Sequence, residues 1–157
     1  FKEKMVPRFL PVDMARSWIE NQLYAGEQEN KMADIMIEKG KIIYLLHAIY
    51  PDMEEAKLLR YETEDFEWCE KNEYQIWQYL VDQKYIYSDD PNVHRNFFSE
   101  GPFTPGLPEG APSKVGEYMG FTIVKQYMNK NQDVGLKKLI DTKNIQKILN
   151  AYEVEEQ

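Results

Sequence analysis

Apolar residues recur along this chain at three- and four-residue spacing and rarely alternate, a rhythm that predicts helices. The clearest case is residues 28–50, "QENKMADIMIEKGKIIYLLHAIY", where Met32, Ile35, Met36, Ile42, Ile43, Leu46 and Ile49 form one broad stripe. This is the longest predicted helix. Gly40 inside it costs about 1 kcal/mol relative to alanine, so it is read as a close contact or a bend. Pro51 ends the helix. Upstream, Pro7 and Pro11 bracket an extended lead-in, because proline biases the residue before it away from helix. Residues 12–24, "VDMARSWIENQLY", then read as helix, with Met14 and Trp18, and Ile19, Asn21 and Gln22, tracing successive turns and Gly26 as the stop.

Downstream, Asp52 and Glu55 have the spacing of a capping box for a short helix over 53–60. Thr63 is the expected N-cap of a helix over 64–83, which turns Phe66, Cys69, Ile76, Trp77 and Leu80 inward. Asp90 followed by Pro91 is a strong start signal for a helix over 92–100. A stiff loop follows at 101–113, "GPFTPGLPEGAPS", with four prolines and three glycines. Ser113 is the expected cap of a helix over 114–131, and further helices are expected over 136–142 and 143–152. Only "YIY" and "FTIV" have strand propensity, and both are short. The expectation is one all-α domain, residues 1–157, of about seven helices.

Composition supports a real core: 43% of the 157 residues are hydrophobic and 13% aromatic. The net charge of −8 argues against nucleic acid, which needs a basic face. Residues 51–90 hold twelve acids and four bases, whereas residues 114–149 hold seven bases and three acids. Such halves attract one another within a fold or steer a partner; a solvated charged face is the simpler account. No apolar run reaches the roughly twenty residues that span a bilayer. The chain starts without an initiator methionine, so any targeting signal is expected upstream.

Candidate chemistry is sparse. With Cys69 alone, no internal disulfide forms and cysteine-rich zinc sites are excluded within this chain. A buried apolar role is expected for it. His47 lies in an apolar run and reads as a packed, hydrogen-bonded histidine; His94 is expected to be exposed. No H-E-x-x-H, P-loop or G-x-S-x-G pattern occurs. The loop prolines remove backbone donors that a phosphate cradle would use. Glu64, Glu67, Glu70 and Glu73 recur every three residues, but a solvated helical face outweighs a metal site, since hard cations usually take ligands converging from a loop. Gly116 and Gly120 share a helix face and let another backbone approach. Between them, Glu117 reads as a surface or helix-dipole acid, with a functional carboxylate as the alternative.

Taken together, residues 66–91, "FEWCEKNEYQIWQYLVDQKYIYSDDP", and 101–131, "GPFTPGLPEGAPSKVGEYMGFTIVKQYMNKN", resemble the gliding motility lipoproteins of the GldB family of Bacteroidetes. The segments "VPRFLPVDMARSWI" and "EKGKIIYLLHAIYP" also fit. The resemblance covers most of the chain, as the C-terminal half of a longer protein. It implies a lipid-anchored protein of the cell envelope facing the periplasm, with other envelope proteins as partners and membrane contact only through an anchor upstream. The family is similar to predicted zinc-dependent proteases with a zincin-like helical half. Their metal helix would lie upstream of Phe1, so no catalytic or zinc residue carries over and no cofactor is implied. Where family members often have arginine before the valine-glycine pair, this chain has Lys114. Three readings stand: a non-catalytic interaction domain of an envelope lipoprotein; the cleft-lining half of a metallopeptidase; and a helical adaptor binding a peptide in an aromatic groove, for which Trp68, Trp77 and the tyrosines speak. The candidate cleft or interaction residues are Phe103, Pro105, Glu117, Tyr118 and Trp77.

Overall fold

The computed structural model describes residues 10–23 and 31–156. The expected lead-in at Pro7 and stop at Gly26 lie outside them. Among the described residues nine α-helices run in order: α1 Leu10–Leu23, α2 Met32–Ile49, α3 Glu55–Leu58, α4 Thr63–Lys71, α5 Glu73–Asp82, α6 Pro91–Phe98, α7 Val115–Lys130, α8 Leu136–Asp141 and α9 Ile145–Leu149. A 3₁₀ turn, Tyr85–Tyr87, joins α5 to α6. The described residues contain no strand: "YIY" is that turn and "FTIV" lies inside α7. The fold is all-α, as the spacing predicts.

Helix α2 is the hub, touching α1, α3, α7, α8, α9 and the 3₁₀ turn, and its contact with α7 is the most extensive between any two helices. A strongly amphipathic helix would be buried along one stripe. Helix α2 instead buries Ala33, Ile37, Gly40, Lys41 and Leu45 in addition to Met32, Met36, Ile42, Ile43 and Leu46 of its expected stripe, with Ile35 half-buried. Its last stripe residue, Ile49, is exposed. Where α2 and α7 cross, a Cβ on Gly40 would overlap the Gly120 carbonyl, and a Cβ on Gly120 would overlap the Met36 carbonyl. Gly40 is therefore a close contact. Gly116, one turn before Gly120, faces the Phe97 carbonyl and the Phe98 ring of α6 in the same way.

The interior also takes a cation. Lys41 is fully buried, and its Nζ donates to Glu38 Oε1 at 2.9 Å and to the Thr142 carbonyl at 2.8 Å. That second bond ties α2 to the end of α8. Such burial is tolerated only with partners of this kind.

Several ends differ from expectation. The helix expected over 64–83 breaks into α4 and α5 at Asn72, whose side-chain Nδ2 donates to the Trp68 carbonyl at 2.7 Å and so competes with helix propagation. Helix α4 starts at Thr63 itself, with Glu62 in the cap position. The Asp52–Glu55 capping box does not form; Glu54 precedes α3. Ser113 does not cap α7, because its carbonyl accepts the Tyr61 hydroxyl and Lys114 takes the cap position in a left-handed conformation. Pro11 lies in the first turn of α1, and α1 buries Val12 and Ile19 while Met14 and Trp18 point outward at 64% and 62% exposure. The Asp90–Pro91 start forms as predicted, with Asp90 Oδ1 accepting from Asn92 N–H at 2.8 Å.

The crossing predicts a sharp contrast among glycines. Gly40→Ala and Gly120→Ala each lower stability by about 3 kcal/mol or more, since the overlap is with backbone that cannot rotate away. Gly135→Ser, at the α8 cap with open space around it, raises stability by roughly a few tenths of a kcal/mol. Urea unfolding of the three variants checks the order.

Candidate functional site

Among the described residues, two concavities each include one of the candidate residues, Glu117 in the first and Trp77 in the second, while Phe103, Pro105 and Tyr118 line neither. The first is a polar cleft of about 330 Å³ at the start of α7, lined by Asp13, Arg16, Arg60, Glu100, Lys114 and Glu117, with Ser17 and Phe98 beside them. Its charges are spent on one another. Arg16 Nη2 donates to Glu117 Oε1 at 2.8 Å, and Arg16 Nε to Glu20 Oε1 at 3.3 Å. Arg60 Nε donates to Asp13 Oδ1 at 3.0 Å. Lys114 Nζ meets Glu100 Oε1 at 2.9 Å, a single contact in place of the paired one an arginine would offer. Burial depresses the proton affinity of the Arg16 guanidinium, but Glu117 and Glu20 outweigh it and hold the charge in place. Glu117 is thus neither a surface acid nor a dipole partner alone: it is 5% exposed and locks α1 to α7. Its Oε2 has no hydrogen-bond partner among the described residues.

The proline loop borders this region and is pinned by side chains from α4 and α5. Gly106 and Gly110 adopt φ of 88° and 90°, and a Cβ at either would collide with the Tyr79 hydroxyl or the Trp68 indole. Trp68 Nε1 donates to the Glu109 carbonyl at 3.2 Å, and Thr104 Oγ1 donates to the Pro112 carbonyl at 2.7 Å. Trp68 is therefore spent on loop packing. Phe103 and Pro105 sit on the outer side of the loop, Phe103 at 59% exposure. Tyr118 points inward: its ring packs edge-on against Phe66 and its hydroxyl donates to Glu73 Oε2 at 2.9 Å. Glu73 also accepts from Tyr152 at Oε1, 2.8 Å. Of the four glutamates spaced by three, Glu64, Glu67 and Glu70 face solvent and Glu73 serves these two tyrosines. Among the described residues, no cluster of histidine, cysteine and acids could hold a metal.

The second concavity is an apolar groove of about 520 Å³ between α5, the 3₁₀ turn and α9. Trp77, Val81, Ile86, Tyr87 and Leu149 form its surface; Lys84, Gln146 and Asn150 complete it. Trp77 is held upright by edge-on packing against Tyr152, with ring centroids 4.9 Å apart. Tyr87 is held by its hydroxyl, which donates to Gln146 Oε1 at 2.9 Å. Val81 and Tyr87 are 44% and 53% exposed.

The left-handed region ties both concavities together. Among the described residues, the non-glycine residues with positive φ are Arg60, Lys84 and Lys114, each at 58°. That conformation costs roughly 1–2 kcal/mol for a residue with a Cβ. All three are basic, and each lines one of the two concavities. Charge spacing in the sequence pointed to a solvated surface for such residues and carried no sign of backbone conformation, so Arg16, Arg60 and Lys84 were not singled out. The remaining candidates are inert. Cys69 is fully buried, and burial, reinforced by nearby acids and only partly offset by the Tyr61 hydroxyl, pushes its thiol up to about 12. His47 is half-buried between Tyr44 and Phe121, with Nδ1 unbonded among the described residues, and His94, expected to be exposed, is half-buried with Nε2 2.8 Å from the Ser88 carbonyl.

An all-α domain carrying an internally neutralised polar cleft and an open aromatic groove is the class that fold and surface define. The chain belongs to the GldB gliding motility family: the family model described as "Gliding motility protein GldB" matches residues 1–154. No curated protein and no solved structure matches it.

Three outcomes are expected from the buried chemistry. Arg16→Met leaves Glu117 buried without its cation and costs about 3 kcal/mol, whereas Arg16→Met with Glu117→Leu costs less than the single change; a double-mutant cycle in urea measures the coupling. Cys69, Tyr61, Tyr118 and Tyr152 are all held neutral, chiefly by burial. The unfolded chain therefore loses these protons first as the pH rises, so the stability these groups contribute is intact below about pH 8 and is lost from about pH 9 towards 12. In the same variant-free protein, alkylation of Cys69 at pH 8 is about a thousandfold slower than in urea.

Proposed function

We propose that this chain is a non-catalytic, protein-binding domain of a GldB-type envelope lipoprotein, facing the periplasm, and that the Trp77 groove is where it meets another envelope protein. The observation that carries this reading is the groove itself. Its rings are held by internal contacts, Trp77 by Tyr152 and Tyr87 by Gln146, yet its apolar surface remains open. Aromatic anchors fixed before binding lose little freedom on association, which is the property of a contact surface. The polar cleft supports it less, because its cations and acids already neutralise each other. None of the described helices is long and apolar enough to cross a membrane, which agrees with attachment by an anchor.

A photo-crosslinking residue placed at Tyr87 of the full-length protein, in its own cells, gives a discrete protein adduct. The same residue at exposed Lys137 gives none. Val81→Glu removes the adduct and shifts the melting temperature by no more than a few degrees. Equal labelling at both positions would overturn the reading.

A further inference from the structure

We infer that the partner segment seated in the Trp77 groove presents a carboxylate beside its apolar side chains, and that Lys84 receives it. This rests on the groove being the protein-contact site. Among the described residues, Lys84 is the one ionised group in a lining otherwise made of aromatic, aliphatic and carboxamide groups. Its side chain is exposed, and among the described residues no ion pair engages it. It is held at the groove by a left-handed turn ending α5, in which its N–H donates to the Val81 carbonyl at 2.9 Å. Glycine is the ordinary occupant of that position after a helix; here a long cationic side chain stands in it. A second cation reinforces the sign, with Lys31 Nζ 5.9 Å from the Tyr87 ring centroid.

The rest of the molecule sharpens this preference. The chain carries a net charge of −8, so an acidic segment is repelled over most of the surface and attracted at this mouth. Asp82 is close in sequence but does not line the groove. A groove of about 520 Å³ admits a few side chains, not a whole helix. The occupant is then an amphipathic segment lying across it, with apolar residues inserted on Trp77 and Ile86 and an Asp or Glu at the Lys84 end.

The test uses the full-length protein with the photo-crosslinker at Tyr87, in its own cells, with Lys84→Arg, Lys84→Asn and Lys84→Glu compared. Asparagine tolerates the left-handed backbone, so it removes charge without adding strain. Adduct yield is expected to hold for arginine, to fall about threefold for asparagine and about tenfold for glutamate, as for a rim charge pair lost and then reversed. Unchanged melting temperatures show that folding is not the cause. If Lys84→Glu leaves the yield intact while Val81→Glu abolishes it, the groove binds protein but the carboxylate is wrong. An adduct of lipid mass overturns the protein occupant, and no adduct in the parent overturns the groove as a contact site.

Discussion

The crossing of α2 and α7 is made backbone to backbone. Gly40 and Gly120 remove the side chains that normally keep helices 8–10 Å apart, and everything on either side follows from that approach. It draws α7 deep enough that residues 111–120 are buried without interruption. It places Gly116 against α6, and Glu117 within reach of Arg16 on α1. At the other end of α7, Lys130 reaches the Ala151 carbonyl and the Gln126 side chain bonds the Glu153 backbone, so the C-terminal segment is held across the bundle. Trp77 then packs on Tyr152 from that same segment. The polar cleft and the apolar groove are thus organised by opposite ends of one helix.

The three left-handed cations give the two concavities a common construction. Helix ends ordinarily place glycine where φ must be positive, because a Cβ is strained there. Arg60 and Lys114 instead carry charge into the polar cleft, where Asp13 and Glu100 meet them. Lys84 carries charge to the groove. Backbone strain of this kind persists where surrounding structure holds it in place. The dense acidic stretch over 51–90 and the basic stretch over 114–149 do meet in the fold, through Lys125 and Glu55 at 2.8 Å.

How far the sequence could be read depended on the kind of interaction. The Asp90–Pro91 start signal foretold α6, and apolar spacing foretold α2 because burial of a face is periodic along the chain. The glycine pair foretold close packing for the same reason. Helix ends were harder: Asn72 reaches back one turn to the Trp68 carbonyl and breaks the helix there, and Ser113, expected as a cap, is instead engaged at its carbonyl by Tyr61, far away in sequence. Glu117 and Trp77 were readable as candidates, but their settings were not. A carboxylate two residues into α7 looks exposed until Arg16, 101 positions away, is brought beside it. Met14 and Trp18 showed the converse, since helical spacing states which residues share a face and not which way that face turns.

The proline loop and the run after it divide sharply in their contact with water. Residues 105, 106 and 108–110 are exposed, whereas residues 111–120 are not. The exposed part is fastened by the Trp68 bond to the Glu109 carbonyl and by Tyr79 lying against Gly106, and the buried part by α2 and α6. A protease that cut the loop near Glu109 would therefore sever the chain without releasing either piece. The two segments would stay assembled through the α2–α7 crossing, and chain continuity at that point is separable from the integrity of the bundle.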